Sequence, residues 1–279
     1  MFWQTSRFRI DLARPQVMGI VNVTPDSFFD GGAHAEFASA VAHCELLASQ
    51  GADILDIGGE STRPGSIPPS LEEEVARVIP VVAEAVKLGI PVSVDTSRAD
   101  VMARALDLGA DIINDIRALS SEGALAVCAG HPTVGICLMH MQGQPATMQD
   151  NPQYSDVVRE VIGFLEGRVA AVHAQGVASE RIVLDPGYGF GKSKAHNLTL
   201  FRRQDELLQL GLPLLVGWSR KGLLGKLTGR DTASRLVPSI AAALAAVERG
   251  ARIVRVHDVA DTVDALKIWH AAGLGASRN

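Results

Sequence analysis

The sequence predicts an α/β protein, a single (β/α)8 barrel with a short N-terminal hairpin, formed by residues 1–279 as one domain. Three observations predict it. A unit of apolar run, polar Gly-rich break and helically spaced stretch recurs eight times over roughly 260 residues, the repeat and length of such a barrel. The apolar runs are continuous rather than alternating, as strands are when helices cover both the sheet and its neighbours. Chemistry-bearing polar residues crowd the C-terminal end of each run, and small residues occupy the other. A doubly wound open sheet is the alternative, but it would carry a Gly-rich nucleotide turn after its first strand. NVTPDSFFDGG is not GxGxxG.

The elements follow in order. Phe8, Ile10 and Leu12 alternate with polar residues and predict a short hairpin strand placed to plug one barrel end. The barrel strands are then VMGIVN (17–22), DILDIG (53–58), PVSVD (91–95), DIINDI (111–116), TVGICLM (133–139), RIVLD (181–185), PLLVG (213–217) and RIVRVH (252–257). Helical spacing predicts helices over 36–50, 71–88, 98–108, 154–175, 195–209, 233–249 and 258–272, with a weaker one over 121–130. Gly51, Gly89, Gly109 and Gly250 each close a helix just before a strand, where glycine takes the left-handed conformation readily.

Composition excludes several classes. At 47% hydrophobic and 20% charged the chain can bury a core and is not mainly disordered. A net charge of −5 without a basic stripe offers nucleic acid no footprint. No apolar stretch reaches the roughly 20 residues of a membrane-spanning helix, so no membrane partner is expected. The N-terminus lacks the charged-then-apolar order of a signal peptide, and the expected compartment is the cytoplasm. Cys44, Cys128 and Cys137 are far apart in apolar patterns and read as core residues, not disulfides or zinc ligands.

In a barrel the βα loops converge at the C-terminal strand ends, and catalytic groups gather there. Those ends carry Asn22, the loop Glu60 to Arg63, Asp95, Asn114-Asp115, Met139-His140, Asp185, Ser219-Arg220-Lys221, Arg255 and His257. Asp95, Asn114 and Asp185 close three different strands. One alone could cap a helix, and for Asp95 ahead of Thr96-Ser97 that reading has weight. Three acceptors around one space suit a flat heterocycle with several N–H donors, and Asp185 could take two in parallel. Arg63, between a hydroxyl and Pro-Gly, could hold a phosphate, and Arg255 and His257, on one face of the last strand, could meet the same anion as a diphosphate grip. Lys221 opens onto a short extra helix after strand seven and could donate to ring acceptors. DPGYGFGKS (185–193) surrounds Phe190 with glycines, as in a mobile loop. The remaining histidines read as loop or helix residues with no assigned role.

These motifs together, MGIVNVTPDSFFDGG, GADILDIGGESTRPG, PVSVDTSRADV, GADIINDI, DPGYGFGKS, VGWSRKG and RIVRVHDV, closely resemble the dihydropteroate synthase family of pterin-binding enzymes. The resemblance runs from Met18 to about Lys267, in the family's order. It implies a (β/α)8 homodimer, with PSIAAALAAV (238–247) as part of the dimer face. It implies condensation of 6-hydroxymethyl-7,8-dihydropterin diphosphate with 4-aminobenzoate, in folate biosynthesis, with magnesium. By the same resemblance Asn22 is the magnesium ligand. Thr62, Asp95, Asn114, Met139, Asp185 and Lys221 hold the pterin under a stacked Arg255, and Arg63 and His257 hold the diphosphate. Thr24, Asp26, Phe28, Pro64, Phe190 and Gly222 meet the aminobenzoate. Many relatives have Ser where this chain has Gly222, which bears on the aminobenzoate carboxylate and on sulfonamide mimics. Phe29 and Trp218 also replace smaller residues seen in many relatives.

The implied chemistry suits the residues. The dihydropterin ring can spread positive charge from its methylene carbon, so a dissociative, SN1-like route needs charge stabilisation and water exclusion rather than a nucleophile–base pair. Two other readings compete with this one. A corrinoid methyltransferase-type pterin barrel would not need Arg63, His257 and STRPG, and a non-catalytic paralogue would not need every one of these residues.

Overall fold

The structure, a computed structural model, describes residues 1–24, 32–61 and 66–274, with the backbone alone for 32–34. A hairpin of β1 (Phe2–Gln4) and β2 (Arg9–Asp11) precedes eight strands. These are β3 (Gln16–Asn22), β4 (Ile54–Gly58), β5 (Val92–Asp95), β6 (Ile112–Asp115), β7 (Gly135–Met139), β8 (Ile182–Asp185), β9 (Leu214–Val216) and β10 (Ala251–Val256). All pair in parallel, and β10 closes on β3 to complete the barrel. Around it run α1 (Gly32–Ser49), α2 (Leu71–Ala85), α3 (Ala99–Asp107), α4 (Ala124–Gly130), α5 (Val157–His173), α6 (Lys194–Arg202), the short α7 (Gly222–Thr228), α8 (Leu236–Glu248) and α9 (Val259–Ala271).

Every predicted strand is present, within two residues at each end. Helix ends moved for local reasons. Ser70 caps α2 by accepting from Glu73 N at 3.1 Å while Glu73 reaches back to Ser70 N at 2.7 Å, a reciprocal capping box. Asp156 caps α5 through the amides of Val158 and Arg159, so that helix starts later than its apolar spacing predicts. The helix expected over 195–209 stops at Arg202, because Gln204 turns inward. Its amide donates to the carbonyls of Ala246 and Arg249 at 2.9 and 3.1 Å, and the chain continues as a 3-10 helix (Gln204–Leu210). Gly51, Gly89, Gly109 and Gly250 hold φ of 92°, 75°, 93° and 89°, the left-handed conformation expected after a helix.

Two apolar layers hold the barrel. Valines and leucines facing outward from the strands pack under the helices in one large core. A smaller interior core joins Met18, Ile54, Ile112, Cys137, Val183, Leu215 and Ile253 to Trp3, Ile10 and Leu12 of the hairpin. The hairpin therefore plugs the N-terminal end, as predicted. Trp3 is fully buried and donates its indole N–H to Arg181 O at 3.0 Å. Burying a side chain of that size is worth roughly 3 kcal/mol. Asp111 locks the plug, accepting from the backbone and guanidinium of Arg7 at 3.0, 3.1 and 2.6 Å and from Val92 N at 2.9 Å. The three cysteines are free and buried; burial pushes the thiols of Cys44 and Cys128 up to about 12 and that of Cys137 well above its usual value.

Candidate active site

With the N-terminal end plugged, the opposite rim is where the loops meet. Side chains two or four residues apart on a strand share a face. Asn22 stands four residues after Met18, and Asn114, Met139, Asp185 and Arg255 stand two residues after Ile112, Cys137, Val183 and Ile253, all members of the interior core. They point inward for that reason. Register ties them into one row: Asn22 pairs with Gly58, Gly58 with Asp95, and Asp95 with Asn114. Met139 pairs with Asp185 further round. The predicted acceptors thus share one end of one barrel. Asp95 caps no helix, since α3 begins after Arg98 without a side-chain cap, which disposes of the capping reading.

Arg255 is anchored by two carboxylates. Its Nε donates to Asp56 Oδ2 at 2.6 Å and its Nη2 to Asp95 Oδ2 at 2.8 Å. The guanidinium is held along one edge by Asp95 of the rim row and by Asp56 one step below it, and its plane is set by them. Asn114 Nδ2 donates to the same Asp56 oxygen at 3.2 Å. Asp56 was missed in the sequence because an acid inside ILDIG interrupts an apolar run without closing it. The signal was there: Asp56 shares its face with Ile54 and Gly58.

Burial and neighbouring charge set the electrostatics. Asp95 is pushed up to about 7, first by burial and then by Asp56, Asp115 and Glu60, against the pull of Arg255. Burial also raises Asp185, opposed by Lys221 and by the Gly187 amide, which donates to Asp185 Oδ1 at 2.7 Å. Lys221 is lowered to about 8 by burial, with Arg255 lowering it further and Asp185 opposing.

Lys221 donates to Tyr188 O, and its Nζ lies 4.7 Å from the centre of the Phe190 ring. Its neighbour Arg220 holds a left-handed φ of 56°, uncommon for a residue other than glycine. An ion pair with Asp258 and a bond from Arg220 N to Ser239 Oγ at 2.9 Å keep it there. Gly222 begins α7, and a Cβ at that position would meet nothing within 4 Å.

The loop carrying Phe190 is pinned from below by a residue given no role from sequence. Lys192 is buried, with Nζ 2.8 Å from His140 Nδ1, 2.9 Å from Gly187 O and 3.0 Å from Phe190 O. Burial and Lys192 lower His140 to about 2, so its neutral ring nitrogen accepts from the amine. Gly187 is obligatory here: a Cβ would fall 1.9 Å from His140 O. His257 sits at the mouth with Nδ1 2.9 Å from Ser219 Oγ, which also accepts from His257 N at 3.1 Å. Thr24 is half-buried at the end of the segment after β3. Asp26, Phe28, Thr62, Arg63 and Pro64 lie outside the described residues.

Comparison with known proteins gives the family. Residues 18–257 match the family model of pterin-binding enzymes. The chain is similar to the dihydropteroate synthase of Neisseria meningitidis serogroup C, 56% identical over 276 residues and covering 98% of each chain. Among solved structures it resembles dihydropteroate synthase of Xanthomonas albilineans with 4-aminobenzoic acid (50% identity, TM-score 0.90, 95% of both chains). The same enzyme in complex with 7,8-dihydropteroate matches at 48% identity and TM-score 0.87, covering 95% of this chain and 96% of that one.

Proposed function

The chain belongs to the pterin-binding enzyme family, and from that premise we propose how its rim performs the dihydropteroate synthase reaction. The protein condenses 6-hydroxymethyl-7,8-dihydropterin diphosphate with 4-aminobenzoate to give 7,8-dihydropteroate and diphosphate. The observation that carries the division of labour is the convergence of Asp95, Asn114 and Asp185 on one rim beside Lys221 and an edge-clamped Arg255.

Asp95, Asn114 and Asp185 accept the ring's N–H groups, Lys221 donates to its acceptors, and Arg255 lies over its face. Thr62 and Met139 complete the pterin pocket. Arg63 and His257 hold the diphosphate. Thr24, Asp26, Phe28, Pro64, Phe190 and Gly222 receive the aminobenzoate. The bond between methylene carbon and diphosphate oxygen breaks with its electron pair leaving on oxygen, and the ring spreads the resulting positive charge toward the two aspartates. The amine nitrogen then donates its lone pair to that carbon and loses a proton. An arylamine is already neutral at pH 7, so no strong base is required.

Magnesium fits the donor set. Asn22 offers a hard amide oxygen at the rim, and no group of three His, Cys, Asp or Glu among the described residues could hold a metal by itself. A single protein oxygen suits an ion that keeps several waters and binds with substrate phosphates. Bound there, it supplies charge neutralisation to the leaving diphosphate. A purified-protein assay tests the reading: dihydropteroate and diphosphate should form together, only with both substrates, and fall on chelation of magnesium. No product with both substrates and magnesium present would overturn it.

The protein works as a homodimer in the cytoplasm in this proposal. The outward face of α8 supports pairing: Val237 is 72% exposed, with Ile240 and Leu244 partly exposed along the same helix. Leaving that face to water is unfavourable. Val237→Glu should convert a dimer to a monomer in analytical ultracentrifugation, and an unmodified chain that sediments as a monomer would refute the pairing. No helix among the described residues is long and apolar enough to cross a membrane.

A further inference from the structure

Asp56 is a wholly buried carboxylate in direct contact with two of the pterin-side residues, and the reaction gives it nothing to do. It sits on β4 between Ile20 and Ser93 in register, one step below the row that holds Asn22 and Asp95. At 0% exposure it cannot touch a ligand in the mouth of the barrel. Its Oδ2 nevertheless takes the Nε–H of Arg255 at 2.6 Å and the amide N–H of Asn114 at 3.2 Å. Those partners lie 199 and 58 residues away in sequence.

We propose that Asp56 is a positioning residue for pterin binding, which sets the plane of Arg255 and selects the edge that Asn114 presents to the ring. The inference rests on the pterin reading of this site and deepens it.

The chemistry at each partner is specific. A carboxylate only accepts hydrogen bonds, so an Asn114 side chain facing Asp56 must point its NH2 group down. Its carbonyl oxygen is then the group left for the ring, which makes Asn114 an acceptor in the set with Asp95 and Asp185. Without Asp56 the amide is free to turn, and half of its orientations would offer a donor to a donor. At Arg255, Asp95 supplies one anchor at Nη2, and a single anchor lets a guanidinium pivot. A second anchor at Nε removes that freedom before the ligand arrives, so less ordering is left for binding. The remaining Asp56 oxygen, Oδ1, is buried without a hydrogen-bond partner among the described residues. The bonds that Oδ2 makes go to two side chains of the pterin row, Arg255 and Asn114.

The test uses the full-length protein and 7,8-dihydropteroate as the probe, titrated by calorimetry. Asp56→Asn should weaken its binding by about 30-fold. The KM for 4-aminobenzoate should stay within about twofold, and kcat/KM for the pterin diphosphate should fall with binding. In a chain already carrying Asn114→Ala and Arg255→Ala, the same substitution should cost nothing further, because a residue that acts only through two others is silent when both are gone. Asp56→Ala, with a smaller side chain, is the second variant. Unchanged dihydropteroate binding by folded Asp56→Asn would overturn the proposal, as would an undiminished loss in the double-variant background. Failure of both variants to fold would overturn it in favour of a structural carboxylate. Absence of dihydropteroate binding by the unmodified protein is a separate result: it would refute the pterin reading, and this inference with it.

Discussion

Asp185→Ala is expected to lower kcat/KM for the pterin diphosphate by about 10^3 or more while the barrel stays folded. A carboxylate that accepts two parallel N–H bonds inside a low-dielectric pocket contributes to binding and, as the ring becomes cationic, still more to the transition state. Removing it leaves the ring's donors facing methyl and methionine, and unsatisfied donors cost about 1–3 kcal/mol each. At about 1.4 kcal/mol per tenfold in rate, two such losses give the stated factor. The structural cost is small, because the chain loses one bond from Gly187 N. Its sign with pH is diagnostic. Burial raises Asp185 above its unfolded value, so its contribution to stability is full below the ordinary carboxylate range and is lost as pH rises through the raised pKa. The variant should therefore gain on the parent in thermal midpoint as pH rises above the ordinary carboxylate range, even as activity disappears. Parallel pH scans of melting and of turnover check both halves, and normal turnover by the variant would refute the assignment of Asp185.

Lys221→Ala should be almost as damaging, with kcat/KM down by about 10^2 to 10^3, and it should also change the pH profile. In the parent, kcat/KM needs Asp95 ionised and Lys221 charged. Asp95 at about 7 sets the acid limb, and Lys221 at about 8 sets the alkaline one. The expected curve is a narrow bell whose flanks report the free enzyme. Removing Lys221 deletes the alkaline flank and leaves activity rising to a plateau above pH 7. Asp185 is affected too, since Lys221 is the cation that does most to hold it down. Turnover of the variant across pH 5 to 10 measures this, and an alkaline flank that survives the substitution would assign it to another group.

Most of the barrel was readable from its apolar runs, because a strand buried on both faces leaves an uninterrupted signature, and most runs here end at or just before a polar residue of the rim. The helix ends were less readable. Gln204 halts a helix by reaching two carbonyls more than forty positions on, and no local pattern encodes that partner. In the site, residues that close strands were legible and those that support them were not. Asp56 lies within a run, Lys192 looks like any lysine of a polar loop, and the tie between Ser219 and His257 spans 38 positions. Their roles exist only after the strands are in register. Arg255 shows the same limit from the other side: its position on the rim was evident, but the two carboxylates that claim its edge come from β4 and β5.

The sequestered thiols described with the fold make the surface chemically silent toward maleimides and iodoacetamides. A cysteine engineered at Ile67, which is 90% exposed just beyond the second rim loop, would be the sole labelling point. A fluorophore attached there would report ligand arrival at that side of the rim without any background to subtract.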